Sequence, residues 1–86
     1  MVIKEKKITN TEDRIIKTVS WILNIPSNML NPYTDLIEDL YLDNIDRDLL
    51  IARLEKEFNV ILSIEEVADI ETIQDASRFI QQHAAA

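Results

Sequence analysis

The sequence predicts an all-α fold: a small four-helix antiparallel bundle with a long loop between the first and second helices and a short third helix. Apolar residues recur at helical spacing in separate segments, and residues that cap helices stand where those segments begin. Val60, Ile61 and Leu62 are the one strand-like stretch, and a lone strand has nothing to pair with, so they read as a buried connection. With 86 residues, 47% of them hydrophobic, the chain supplies one small domain.

Residues 1–10 read as a flexible lead-in, with Lys4, Lys6 and Lys7 beside Glu5. The domain is expected over 11–82, and His83 with the three closing alanines reads as a tail. From Thr11 a first helix is expected, because Glu12 and Asp13 suit its positive end and Ile15, Val19 and Ile22 recur at i, i+4 and i+7. It ends near Asn24. The chain has no glycine, so Asn24 and Asn59 are the residues left to take left-handed helix ends.

Pro26 and Pro32 forbid a continuous helix between Ile25 and Asp39. Ile25, Met29, Leu30, Leu36 and Ile37 are expected to pin this loop onto the core. Asp43 is a good N-cap for a second helix over 44–58, whose stripe is read as Ile45, Leu49, Leu50, Leu54 and Phe58. Ser63 and Glu66 have capping-box spacing and open a short third segment that stops by Asp69. Thr72 caps a fourth, with Ile73, Ala76, Ser77 and Ile80 on one face. Ile45, Leu49, Leu50, Leu54, Ile64, Ile73 and Ile80 are thus the expected interior of a closed, mostly filled core.

The chain carries a net charge of -7, which argues against nucleic acid, since phosphate binding is driven by Lys and Arg. It has no cysteine and a single histidine, His83, so disulfides, thiolate chemistry, a Ser/His/Asp triad and a multi-histidine metal site have nothing to be built from. No catalytic or metal site is expected. Neither a membrane-spanning stretch nor a signal peptide is legible, and a cytoplasmic protein is the expectation.

Ile37-Glu38-Asp39-Leu40-Tyr41-Leu42-Asp43-Asn44-Ile45-Asp46 followed by Leu54-Glu55-Lys56-Glu57-Phe58 resembles the acyl carrier proteins, whose pattern is close to V-E-D-L-G-x-D-S-L-D and then L-E-E-E-F. Thr72-Ile73-Gln74-Asp75-Ala76 is similar to the family's T-V-x-D-A, and the resemblance runs without a gap from Thr11 to Gln82. It implies a bundle of acyl carrier type and a site at the start of the second helix, where the family's serine is esterified by 4'-phosphopantetheine. A helix start favours the phosphodiester charge. Here that position is Asn44, and a carboxamide has no hydroxyl to be esterified. Tyr33, Thr34 and Tyr41 bear the nearest hydroxyls, but none stands at the family's position.

Three readings of Asn44 stand open. Serine is native there and this chain is an altered genuine carrier of fatty-acid or polyketide type, which would then bear phosphopantetheine; or the chain is a carrier-like docking module that has lost the attachment residue; or Asn44 is an ordinary first-turn residue of an unrelated interaction domain. As written, no cofactor is expected on the chain.

The resemblance also implies an acidic docking surface for acyl-transfer or carrier-modifying enzymes with basic patches. Glu38, Asp39, Asp43, Ile45, Asp46, Asp48, Leu49 and Glu55 are its candidate residues. Between Asp35 and Glu57 eight acids stand against Arg47, Arg53 and Lys56, a net of -5. Such a field raises encounter rates more than affinity. The three bases break up the family's acid run, and Asp48 then Leu49 stand where the family has an apolar residue followed by Glu, so the resemblance does not by itself imply recognition by the standard fatty-acid enzymes, and a dedicated partner stays open. Tyr41 replaces the family's glycine, adding bulk or packing its ring over the loop. Trp21 lies about 100° outside the first helix's stripe. It is read either as an anchor for a partner or a weak self-association contact, or as a ring folded over the loop; a monomer is expected otherwise.

Overall fold

The computed structural model describes residues 8–84, so the reading of residues 1–7 as a basic lead-in and of the last two alanines as tail lies outside the described residues. Four α-helices follow in order: α1 Asn10–Leu23, α2 Asn44–Phe58, α3 Ile64–Ala68 and α4 Ile73–Ala84. The all-α bundle is as the sequence implied. Among the described residues the only β-type pairing is a single bridge between Asp35 and Thr72.

α1 begins earlier than Thr11. The Thr9 hydroxyl accepts the Glu12 N–H at 3.1 Å, and the Glu12 carboxylate accepts the Thr9 N–H at 3.0 Å, a reciprocal box that satisfies two otherwise orphaned donors. Because Glu12 folds back to serve the cap, it is buried with Ile15, Ile16 and Val19, and Ile22 sits only at the margin. Asn24 ends the helix in the left-handed region (φ 57°) and Asn59 does the same for α2 (φ 58°). Their short amide side chains tolerate that conformation, the role expected of them in a chain without glycine.

The loop from Ile25 to Asp39 contains one 3-10 turn at Ser27–Met29 and is pinned at Leu30 and Leu36, while Met29, expected inward, is exposed. Much of its anchoring is backbone to backbone, which no side-chain pattern announces. The Leu36 N–H donates to Glu71 O at 2.8 Å, the Gln74 N–H to Pro32 O at 2.8 Å and the Ile73 N–H to Thr34 O at 3.2 Å. These bonds fasten the loop to the first turn of α4. Asp35 then closes its own turn by accepting the N–H groups of Ile37 and Glu38.

α2 is rotated from the expected stripe. Leu50, Ile51 and Leu54 are buried, whereas Ile45 and Leu49 are 70% and 64% exposed. The run Leu49-Leu50-Ile51 offers apolar residues on both sides of the helix, so spacing alone leaves its phase open, and packing against α1 and α4 decides it. Ile64, also expected inside, is exposed, and so is Ile61 in the connection read as buried; Leu62 is the residue of that connection that reaches the core. The Glu55 carboxylate accepts the Leu62 N–H at 2.7 Å, which fixes the turn out of α2.

Arg14 sits 4.2 Å over the Phe58 ring and pairs with Glu57, while Arg53 lies over Trp21, so α1 and α2 run antiparallel. The core where α1, α2, α4 and the loop meet holds Ile15, Val19, Leu36, Leu54, Ile73 and Ile80, among others. His83, expected in the tail, belongs to the last turn of α4. Its Nε2 lies 2.9 Å from Glu66 Oε1, tying α4 to α3. The Ser63 N–H and then His83 hold Glu66 below the usual carboxylate range. Asp75 is also lowered: burial pushes it up, but the N–H groups of Glu71 and Thr72 outweigh that, with help from Thr72 Oγ1 and Arg78. For two depressed carboxylates the stability they contribute is present at neutral pH and is lost as pH falls through their folded-state values.

Candidate functional site

The start of α2 is built by Asp43. Its backbone is extended (φ -85°, ψ 179°) and its Oδ1 accepts the Asp46 N–H at 2.7 Å, so the helix opens abruptly and the next side chains project outward. Asn44 is the first helical residue and is exposed, with exposed Ile45 and Asp46 beside it. Its carboxamide stands at an open helix start, where backbone N–H groups and the helix dipole favour an anion. A nucleophilic hydroxyl is what the position lacks. Thr34 is buried and its hydroxyl accepts the Asn31 N–H, which removes it from consideration.

The segment before α2 departs from expectation at Tyr41. Its φ is 59°, in the left-handed region, and its side chain is 90% exposed, so the ring does not fold down over the loop. A Cβ in that region costs roughly 1–2 kcal/mol, which glycine avoids. Tyr41→Gly is therefore expected to stabilise the fold by about 0.5 kcal/mol once the greater freedom of unfolded glycine is subtracted. Tyr41→Val, β-branched, is expected to destabilise it. Urea unfolding of both variants measures the pair.

The candidate docking residues separate into groups. Asp43, Ile45, Asp46, Asp48 and Leu49 are exposed together over the first half of α2. Asp48 is partly occupied by Arg47, whose guanidinium lies 3.1 Å from its Oδ1. Glu38 and Asp39 are exposed on the preceding turn, although Asp39 Oδ2 accepts the Asp35 N–H at 2.8 Å. Glu55 does not join them: it is half-buried and committed to Leu62. A cleft of ≈ 470 Å³ opens near Tyr41, between the end of α1 and the long loop, with Ile25, Pro26, Met29 and Leu40 among its walls. Sequence reasoning missed this cleft, because its walls come from segments without periodicity. Trp21 is 75% exposed, with the Arg53 guanidinium 5.7 Å from its ring centroid, so it too stays out of the loop.

A family model described as "Phosphopantetheine attachment site" matches residues 13–80, covering all of α2, α3 and most of α1 and α4. The chain belongs to the acyl carrier protein family. Acyl carrier proteins of Buchnera aphidicola subsp. Acyrthosiphon pisum, strains Tuc7 and APS, are each 37% identical over 73 residues, 85% of this chain and 91% of the relative. That of strain 5A is 38% identical over 72 residues, 84% of this chain and 90% of the relative. Members of this family are carriers, not enzymes, and 4'-phosphopantetheine is the prosthetic group for which the family model is described. Asn44 does not fit that group by the family's ester chemistry, since the carboxamide has no hydroxyl to give. No described helix is long and apolar enough to cross a membrane.

Proposed function

We propose that this chain is an acyl-carrier-like docking module for cytoplasmic acyl-thioester enzymes, of fatty-acid synthesis or a related pathway, and that it carries no phosphopantetheine. What supports this reading is the start of α2, where exposed carboxylates and aliphatic side chains surround Asn44, the residue that the resemblance sets at the attachment position. Asp43 still caps the helix, and Ile45 and Leu49 remain outside beside Asp46. Two exposed aliphatic side chains flanked by carboxylates suit a partner with an apolar patch ringed by Lys or Arg. The same setting supports a second reading, a genuine carrier whose attachment serine has been changed to Asn44.

Competition tests the docking function. The chain is expected to inhibit acyl transfer to an authentic acyl carrier protein by a fatty-acid acyltransferase, less so as salt rises, because exposed charges are screened beyond about 8 Å at physiological ionic strength. Reversing Glu38, Asp43 and Asp46 to lysine is expected to abolish inhibition while leaving the helices formed, apart from a cost of about 1 kcal/mol for the lost cap. Inhibition that ignores both salt and reversal would contradict an electrostatic docking face.

A further inference from the structure

The exposed face of α2 changes sign along its length. Asp43 and Asp46 stand at its N-terminal end, exposed Leu49 near its middle, and Arg53 and Lys56 toward its C-terminal end. Asp46, Leu49 and Arg53 follow one another at i, i+3 and i+7, so they share one stripe. Asp46, Arg53 and Lys56 make no ion pair among the described residues, while the Asp43 carboxylate also accepts the Asp46 N–H. Arg14, Lys17, Arg47 and Arg78 each have a carboxylate partner, whereas among the described residues Arg53 and Lys56 have none within ion-pair distance. Arg53 rests instead on the Trp21 ring, which holds its guanidinium against the same exposed surface.

We propose that this face pairs with the same face of a second copy of the chain, α2 against α2 in antiparallel register about a two-fold axis beside Leu49. The spacing supports this occupant. The midpoint between 46 and 53 and the midpoint between 43 and 56 coincide, between Leu49 and Leu50. One two-fold axis therefore sets Asp46 against Arg53 of the other copy and Asp43 against Lys56, each contact occurring twice, as an isologous interface requires. At 1.5 Å per residue the inner charges lie about 10 Å apart along the helix and the outer ones about 20 Å, with the exposed leucines meeting at the centre. Antiparallel packing also opposes the two helix dipoles favourably. The inference is independent of the docking function, although a second copy and an enzyme would contend for the same surface.

The test is sedimentation equilibrium of the full chain from micromolar to millimolar concentration at physiological salt, where the net repulsion between two acidic copies is screened at short range. A monomer–dimer equilibrium is expected, with Trp21 emission shifting to the blue as dimer forms. Asp46→Lys alone and Arg53→Glu alone place like charges across the axis, and each is expected to weaken association about tenfold or more. A one-to-one mixture of the two variants restores opposite charges at every contact, and is expected to form a heterodimer of about wild-type affinity. Circular dichroism of each variant establishes that it is folded. A wild-type chain that stays monomeric at millimolar concentration would overturn the proposal, leaving the face to a different protein. So would dimerisation that survives both reversals but is lost in Trp21→Ala, or folded variants whose mixture fails to associate.

Discussion

Replacing Leu54 with alanine is expected to lower the unfolding free energy by about 2–5 kcal/mol, whereas Leu49→Ala on the same helix is expected to change it by no more than about 0.5 kcal/mol. Leu54 is 1% exposed and belongs to the core shared by α1, α2 and α4. Truncation there removes apolar contact and leaves a cavity that the surrounding core fills only in part. Leu49 is 64% exposed, and alanine is the better helix former, so little is lost. Native stability in general is only about 5–15 kcal/mol, and a chain this small stands toward the lower end, so Leu54→Ala consumes a large part of it. Urea denaturation with an unchanged slope measures both variants. Equal losses would mean that α2 is rotated toward the stripe its spacing suggested, and the exposed face that the proposed docking needs would not exist.

Where side chains speak through local chemistry, the fold was legible in the sequence. Ser63 with Glu66 marked the start of α3, Asp43 that of α2, and Asn24 and Asn59 the left-handed ends, because capping is decided within a few residues. Features decided by distant parts of the chain were not legible. The rotation of α2 depends on what α1 and α4 present to Leu49-Leu50-Ile51, and the seam between the long loop and the start of α4 is made of backbone groups that every residue possesses. Glu12 suits the helix dipole by its charge, but in the fold it is a buried cap partner, because Thr9, two residues before the expected start, forms the box with it. Beside three alanines His83 looks like tail, while its bond to Glu66 makes it part of the bundle.

The site was legible through resemblance more than through periodicity. The acidic character of the α2 start and the identity of residue 44 are plain in the chain, but periodicity alone placed Ile45 and Leu49 in the core and so hid the apolar part of the surface. Tyr41 is the departure that structure adds most to. A bulky side chain is held at φ 59° three residues before Asn44, in a conformation that the family's glycine adopts without cost. Its side chain projects into solvent.

The proposed docking module offers no hydroxyl for an arm at the start of α2, and intact mass tests this most directly. The chain and its Asn44→Ser variant are incubated with coenzyme A, magnesium and a broad-specificity phosphopantetheinyl transferase, then weighed by mass spectrometry. Asn44 is exposed at the first position of the helix, so access does not limit the reaction; the missing hydroxyl does. The unmodified mass is predicted for the chain as it stands, and a gain of about 340 Da, the arm esterified to a serine hydroxyl, for the variant. A gain of that mass by the unsubstituted chain would overturn the proposed function, since it would show a hydroxyl elsewhere doing what residue 44 cannot.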